Sequence, residues 1–347
     1  MIDFNDLRTI KKIDPQNTLD STEKLLEQLK FAWKEVQSIN VPRYNDVRNI
    51  VFSGMGASIY GALVIKSLLG PKFPYPVEVI SDYHLPDYVN NQTLVVLTSY
   101  SGTTEEVLSA AQEAKERNAK MLVLTMGGKL GDFAKENNIP SYIFDGKLNP
   151  AGVPRLGCGY TILGLIGLLA KAGIIQVKEE DISSAVDRTY PLLGEIKKNA
   201  MEISTKLADK IPVIICAEHL SGNAQIIRNQ FNETSKTFSA YYLVPDLNHH
   251  LMEGLQFPKD SKLYFMLFQT KNFSPKIQKR MELTREVISE NKHIVHWIPL
   301  EGQTIYDDFV IMLLLGSYIT LYLGLYYNQN PATNPWVDYF KDKLSKP

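Results

Sequence analysis

The chain has 347 residues, 44% of them apolar, with 37 lysines and arginines against 38 aspartates and glutamates, giving a formal net charge of −1 at pH 7. That length accommodates about two domains with filled cores, and the dispersed charge excludes a nucleic-acid-binding arm and a polybasic membrane patch. Cys158 and Cys216 are the only cysteines and lie far apart in apolar surroundings, which excludes a disulfide framework and a thiolate metal site and fits a cytoplasmic chain.

The first eight residues, Met1 to Arg8, lack a basic segment followed by an apolar one, so no signal peptide is expected. Asn49 to Phe52 reads as a strand that runs through Ser53-Gly-Met-Gly-Ala-Ser58 into a helix ending near Leu69. A glycine turn between strand and helix invites a dinucleotide reading, but Gly54, Gly56 and Gly61 do not make G-x-G-x-x-G, and no phosphate-loop lysine motif is present. Val77 to Ile80 is the next strand. Leu94 to Leu97 has the apolar run of a strand buried on both faces, and Thr103 to Arg117 places Val107, Leu108, Ala111 and Ala114 on one helical face.

Between that strand and that helix lie Thr98-Ser-Tyr-Ser-Gly-Thr-Thr104 and two glutamates. Ser99, Ser101, Thr103 and Thr104 therefore stand at a helix N-terminus, where unpaired amides and the positive dipole end favour an anion. Helix capping by Ser or Thr with a glutamate three residues on is the competing reading. Lys120 to Leu124 closes the first run of strands, and the charged stretch from Lys178 to Lys210 reads as helix.

The second half repeats the order. Pro212 to Cys216 is a strand, Ser221-Gly-Asn-Ala opens a helix through Asn232, Leu263 to Phe268 is a strand, Ser274 to Glu290 a helix and His293 to Trp297 a strand. The pattern predicts an α/β chain of two related units, residues 1–190 and 191–347, each a doubly wound, flavodoxin-like parallel sheet with helices on both faces. Where the first unit has its hydroxyl tract, the second has Gln269-Thr-Lys-Asn-Phe-Ser-Pro275, so one anion cradle is expected. Phe309 to Tyr327 is uncharged and near the lower length limit of a membrane span, but it has no companion and carries Gly316, Ser317, Thr320 and Gly324. It reads as a core or subunit-interface helix, with no membrane role.

The turn ending at Ser58, the tract Thr98–Glu106, Pro154-Arg155 with Gly159-Tyr160, Gln230-Phe-Asn-Glu-Thr234, Pro245-Asp-Leu-Asn-His249 and Val337-Asp-Tyr-Phe-Lys341 together resemble the bifunctional phosphoglucose/phosphomannose isomerase family of double sugar isomerase (SIS) domain proteins. The resemblance spans nearly the whole chain. It implies interconversion of glucose 6-phosphate, and mannose 6-phosphate, with fructose 6-phosphate in a homodimer, with no cofactor and no metal. It assigns the phosphate to Ser58, Ser99, Ser101 and Thr104, and the proton transfer between C1 and C2 to Glu233. It gives enediolate stabilisation to Arg155, ring opening to His249 across the subunit interface, and a place near the ring oxygen to Lys341. Gly56, Ala57 and Thr333 are further candidates for substrate contact. The chain departs from the family in carrying Ala57 where a second glycine is usual, and His250-Leu251 after Leu-Asn-His249. Two other readings compete: a phosphosugar sensor without turnover, and an isomerase of another phosphosugar such as an aminosugar phosphate. The four groups Glu233, Arg155, His249 and Lys341 favour an enzyme, because a sensor needs no acid–base set.

Overall fold

The computed structural model describes residues 3–4, 6–344 and 346. Helices α1 (Leu7–Ile13), α2 (Thr18–Glu23) and α3 (Leu25–Gln37) precede β1 (Asn49–Gly54), α4 (Tyr60–Leu69), β2 (Val77–Ile80), β3 (Thr93–Ser99) and α5 (Glu105–Glu116). Next come β4 (Lys120–Thr125), α6 (Gly128–Glu136), β5 (Ser141–Ile143), α7 (Cys158–Lys171), α8 (Glu179–Thr189) and α9 (Leu193–Lys206). The second half holds β6 (Ile211–Ala217), α10 (Ser221–Glu233), β7 (Ala240–Val244), α11 (Leu251–Gly254), β8 (Leu263–Thr270), α12 (Pro275–Glu290), β9 (Ile294–Leu300), α13 (Ile305–Tyr326) and α14 (Pro335–Leu344).

The strands form two all-parallel sheets, ordered β2-β1-β3-β4-β5 and β7-β6-β8-β9. Both follow the flavodoxin-like order, the second with four strands among the described residues, so the expected pair of doubly wound units is present. In each sheet the order reverses beside the first strand. Ligands bind such sheets in the crevice outside the carboxyl ends at that reversal. In the first sheet the crevice lies between the ends of β1 and β3, where the Ser58 turn and the hydroxyl tract emerge.

Helices α5 and α6 cover one face of the first sheet, enclosing Val51, Val95, Leu97, Val107, Ala111, Val123 and Leu130. Phe52, Val96, Leu122 and Leu124 point the other way, into a core roofed by α3, α4 and α7. That core runs on through α4, α10 and α13 to the second sheet, so both units share one apolar interior. Every residue of β3 is buried, which explains its unbroken apolar run.

Helix α13 settles its own reading. A capping box starts it, with the Asp307 amide donating to Thr304 Oγ1 at 3.3 Å and the Thr304 amide to Asp307 Oδ2 at 2.7 Å. It then packs against α8, α9 and α10, and 94% of its most apolar window is buried within the chain. It is a core helix. The alternative of a subunit-interface helix is corrected, because its apolar surface is already consumed by intrachain packing.

Candidate active site

The tract after β3 folds back on itself. Ser99 and Thr104 hydroxyls lie 2.7 Å apart, the Gly102 amide donates to Ser99 Oγ at 3.1 Å, and Ser101 and Thr103 hydroxyls lie 2.9 Å apart. Gly102 has φ +72°, and a Cβ there would collide with the Gly127 carbonyl, so the turn requires glycine. Thr104 occupies the N-cap of α5, yet its side chain accepts no first-turn amide. The capping box is therefore not formed. The hydroxyls are held beside a helix N-terminus whose first amides have no side-chain acceptor, which is an arrangement for an anion.

Ser58 joins this cluster. Its Oγ accepts from the Tyr100 amide at 2.9 Å, stitching the turn after β1 to the tract after β3. The turn is a short 3-10 segment, Gly56–Ile59, in which Gly56 is exposed with φ +54° and Ala57 and Ser58 are buried. That segment packs on a second 3-10 turn, Pro154–Leu156, which carries Arg155.

Arg155 is 1% exposed and fully occupied. Its Nε donates to Thr234 Oγ1 at 3.0 Å, its Nη1 to Glu233 Oε2 at 3.2 Å, and its Nη2 to the carbonyls of Pro331, Ala332 (3.2 Å) and Glu233 (3.4 Å). Asn334, with its amide oriented to suit its neighbours, adds an acceptor 3.0 Å from Nη1. Burial pulls the guanidinium below its ordinary pKa, opposed by the Glu233 carboxylate and by Tyr60. Glu233 ends α10 with its side chain 32% exposed. One carboxylate oxygen is pinned by Arg155, and among the described residues Oε1 accepts no hydrogen bond. The buried Tyr60 phenol, two residues past Ser58, is pushed up by burial and by Glu233, so it stays neutral beside the pair. Burial likewise pushes the Cys158 thiol up to about 12, which leaves it unreactive.

Thus Ser58, Ser99, Ser101, Thr104, Arg155 and Glu233 share one side of the molecule, with Gly56 and Ala57 in the turn that links them. Thr333 belongs there too, its carbonyl accepting from Lys236 Nζ at 2.7 Å. Neither His249 nor Lys341 hydrogen-bonds or ion-pairs with any of these side chains among the described residues. His249 is exposed at the end of the 3-10 turn Asp246–His249, past the edge strand β7, and makes no hydrogen bond or ion pair among the described residues. Lys341 lies on α14, a helix with no buried residue, whose Trp336 and Phe340 are 82% and 63% exposed. Thr234, Lys236 and Tyr60, which sequence reasoning did not single out, adjoin the Arg155–Glu233 pair. Thr234 and Lys236 sit within or just after the Asn-Glu motif, and Tyr60 just after the Ser58 turn.

The second unit shows what the first lacks. At the place of Gly56, in the 3-10 turn after β6, stands Glu218 with φ +46°. Its carboxylate accepts from the Ser274 amide at 3.0 Å and from Ser274 Oγ at 2.5 Å, at the N-cap of α12. Nearby, the buried Asp308 Oδ2 accepts from Thr270 Oγ1 (2.7 Å) and Asn272 Nδ2 (2.8 Å) and pairs with His219 Nε2 (3.1 Å). The second helix N-terminus is therefore filled by the chain's own carboxylate.

Residues 196–344 match the family model described as the bacterial phospho-glucose isomerase C-terminal SIS domain, and residues 44–139 match the SIS domain model. The chain is 32% identical over 343 residues to the bifunctional phosphoglucose/phosphomannose isomerase of Caldicellulosiruptor bescii, covering 94% of this chain and 98% of that one. It is 27% identical to the protein of the same name from Aquifex aeolicus, covering 91% and 95%. Among solved structures, it resembles the C-terminal domain of glucosamine-fructose-6-phosphate aminotransferase from Francisella tularensis (TM-score 0.68, 13% identity, 90% of this chain and 97% of that one). It also resembles tagatose-6-phosphate ketose/aldose isomerase from Escherichia coli (TM-score 0.63, 15% identity, 94% of each chain). These structural likenesses bear on the fold, and the sequence relatives together with the two family models place the protein: the chain belongs to the bifunctional phosphoglucose/phosphomannose isomerase family.

Proposed function

We propose that this protein is an aldose–ketose isomerase that interconverts glucose 6-phosphate, and mannose 6-phosphate, with fructose 6-phosphate by proton transfer through a cis-enediol. The observation that carries the reading is the Arg155–Glu233 pair, 3.2 Å apart, drawn from positions 78 residues apart to the side of the molecule that holds the hydroxyl cradle. The relatives' names point to the same chemistry. The phosphate sits on the Ser58, Ser99, Ser101 and Thr104 hydroxyls and the α5 N-terminus, which fixes the far end of the sugar. Glu233 Oε1 removes the proton at C2 and returns it at C1. Arg155 has spent its N–H groups, so it holds Glu233 in place and offers its charge, rather than a further hydrogen bond, to the developing enediolate.

In this reading His249 assists ring opening from a second copy of the chain, and Lys341 approaches the ring oxygen. Two observations support a homodimer: His249 is exposed beyond the edge strand β7, and α14 exposes Trp336, Phe340 and Leu344. Light scattering is expected to give twice the chain mass, and a fully active monomer would contradict the shared site. A division at residue 190 is part of the same proposal; it falls in the 3-10 turn Tyr190–Leu192 between α8 and α9.

The cradle has its own test. Ser99→Ala combined with Ser101→Ala removes two hydroxyl donors to an anion, each worth about 1–2 kcal/mol, so binding of every 6-phosphate is expected to weaken about 30- to 1,000-fold. Unchanged affinity by titration calorimetry would move the phosphate elsewhere. The function itself is tested by a coupled assay of the purified protein on fructose 6-phosphate, following both aldose products separately. Both products establish the dual activity, glucose 6-phosphate alone removes the mannose branch, and tight binding without turnover favours a sensor.

A further inference from the structure

Lys236 stands three residues past Glu233 with φ +56°, the left-handed conformation in which a helix end usually carries glycine. Its side chain turns back onto the helix end. Nζ donates to the Glu233 carbonyl at 2.6 Å and to the Thr333 carbonyl at 2.7 Å. Arg155 Nη2 meets the same Glu233 carbonyl and the carbonyls of Pro331 and Ala332. Two cations thus hold the consecutive carbonyls of residues 331 to 333 against the residue that bears the free carboxylate oxygen. An ammonium has three donors, and two are used here.

We propose that Lys236 is a positioning residue of the isomerase, its ammonium clamping the 331–333 loop to the end of α10 so that Glu233 and Thr333 keep a fixed separation across the sugar. The assignment rests on the function proposed above. The charged groups facing the amine are Arg155, from the turn before α7, and Glu233, from α10; the Asn330–Asn334 loop carries no titratable side chain. Burial first, and then Arg155, pull the amine down to about 8, against the opposing pull of Glu233. The ammonium is therefore complete well below pH 8 and is lost as pH rises through that value.

Lys236→Gly separates the clamp from backbone strain, because glycine suits the left-handed conformation and offsets the lost ammonium contacts. Its melting temperature is expected to match or exceed the wild type, while kcat falls about 10- to 100-fold with KM for fructose 6-phosphate within about threefold. Lys236→Arg is expected to restore much of kcat and to move the alkaline fall in kcat, near pH 8 in the wild type, upward by at least about one pH unit, since guanidinium does not deprotonate there. Wild-type kcat in Lys236→Gly, or an alkaline limb identical in Lys236→Arg, would overturn the proposal. Amide hydrogen exchange across residues 330–334 is expected to quicken about tenfold or more in Lys236→Gly. That readout needs no turnover, so it judges the clamp even if the wild type proves inactive on fructose 6-phosphate, an outcome that would sink the function reading instead; unchanged exchange would sink the clamp.

Discussion

Glu233→Gln is expected to lower kcat for fructose 6-phosphate isomerisation by about 100- to 10,000-fold, the range that a positioned general base contributes. Phosphosugar affinity should stay within a few-fold of wild type. Glutamine keeps the shape of the side chain, and its amide oxygen can still accept from Arg155 Nη1, so the packing around the buried guanidinium survives. What it cannot do is take a proton at the position of Oε1. The proposed phosphate contacts, Ser58, Ser99, Ser101 and Thr104, lie at the ends of β1 and β3 and do not involve Glu233, which is why binding is predicted to persist. A coupled assay beside titration calorimetry reads both quantities on one preparation. Substantial isomerisation by the variant would place the base on another group.

Arg155→Met should damage both fold and turnover. The guanidinium is 1% exposed and satisfies Thr234, Glu233 and the carbonyls of residues 331 and 332. Methionine fills much of the volume but leaves the buried Thr234 hydroxyl and the 331–332 carbonyls without that donor, and the part-exposed Glu233 carboxylate without its cation. Each buried acceptor left without a donor costs about 1–3 kcal/mol, so thermal melting should fall by several degrees. Loss of the fixed cation should lower kcat by a further factor of about 100 to 1,000, the scale of losing one preorganised electrostatic partner. Arg155→Lys is expected to recover little of either, since one ammonium cannot point donors at Thr234, Glu233 and the 331–332 carbonyls together. Melting and turnover both near wild type in the methionine variant would remove Arg155 from the site.

The fold was legible in the sequence wherever a strand is buried on both faces. β1, β3, β4, β6 and β8 are short apolar runs for that reason, and their order predicts the parallel sheets. β5 has only three residues and β7 is mostly half-exposed, so neither gives a continuous apolar run, although the edge strands β2 and β9 do stand out. The N-terminal helices were not assigned either, although Leu26, Leu29, Ala32 and Val36 put one face of α3 against α7. For the site, the hydroxyl tract could be read from composition and its place before a helix. Arg155 and Glu233 were named through family resemblance, because nothing local says that a turn at residue 155 meets a helix end at 233. Lys236 looked like any lysine after a helix; its role depends on a loop almost a hundred residues away, and only tertiary structure joins them.

The carboxylate of Glu218 has a mechanical meaning as well as an electrostatic one. A side-chain-bearing residue in the left-handed region costs about 1–2 kcal/mol, which charge-assisted bonds to Ser274 can offset. Those bonds tie the start of α10 to the start of α12, while the other end of α10 carries Glu233. With 13 residues, α10 is a lever about 20 Å long. The second unit thus anchors the start of the helix whose other end carries Glu233 beside Arg155.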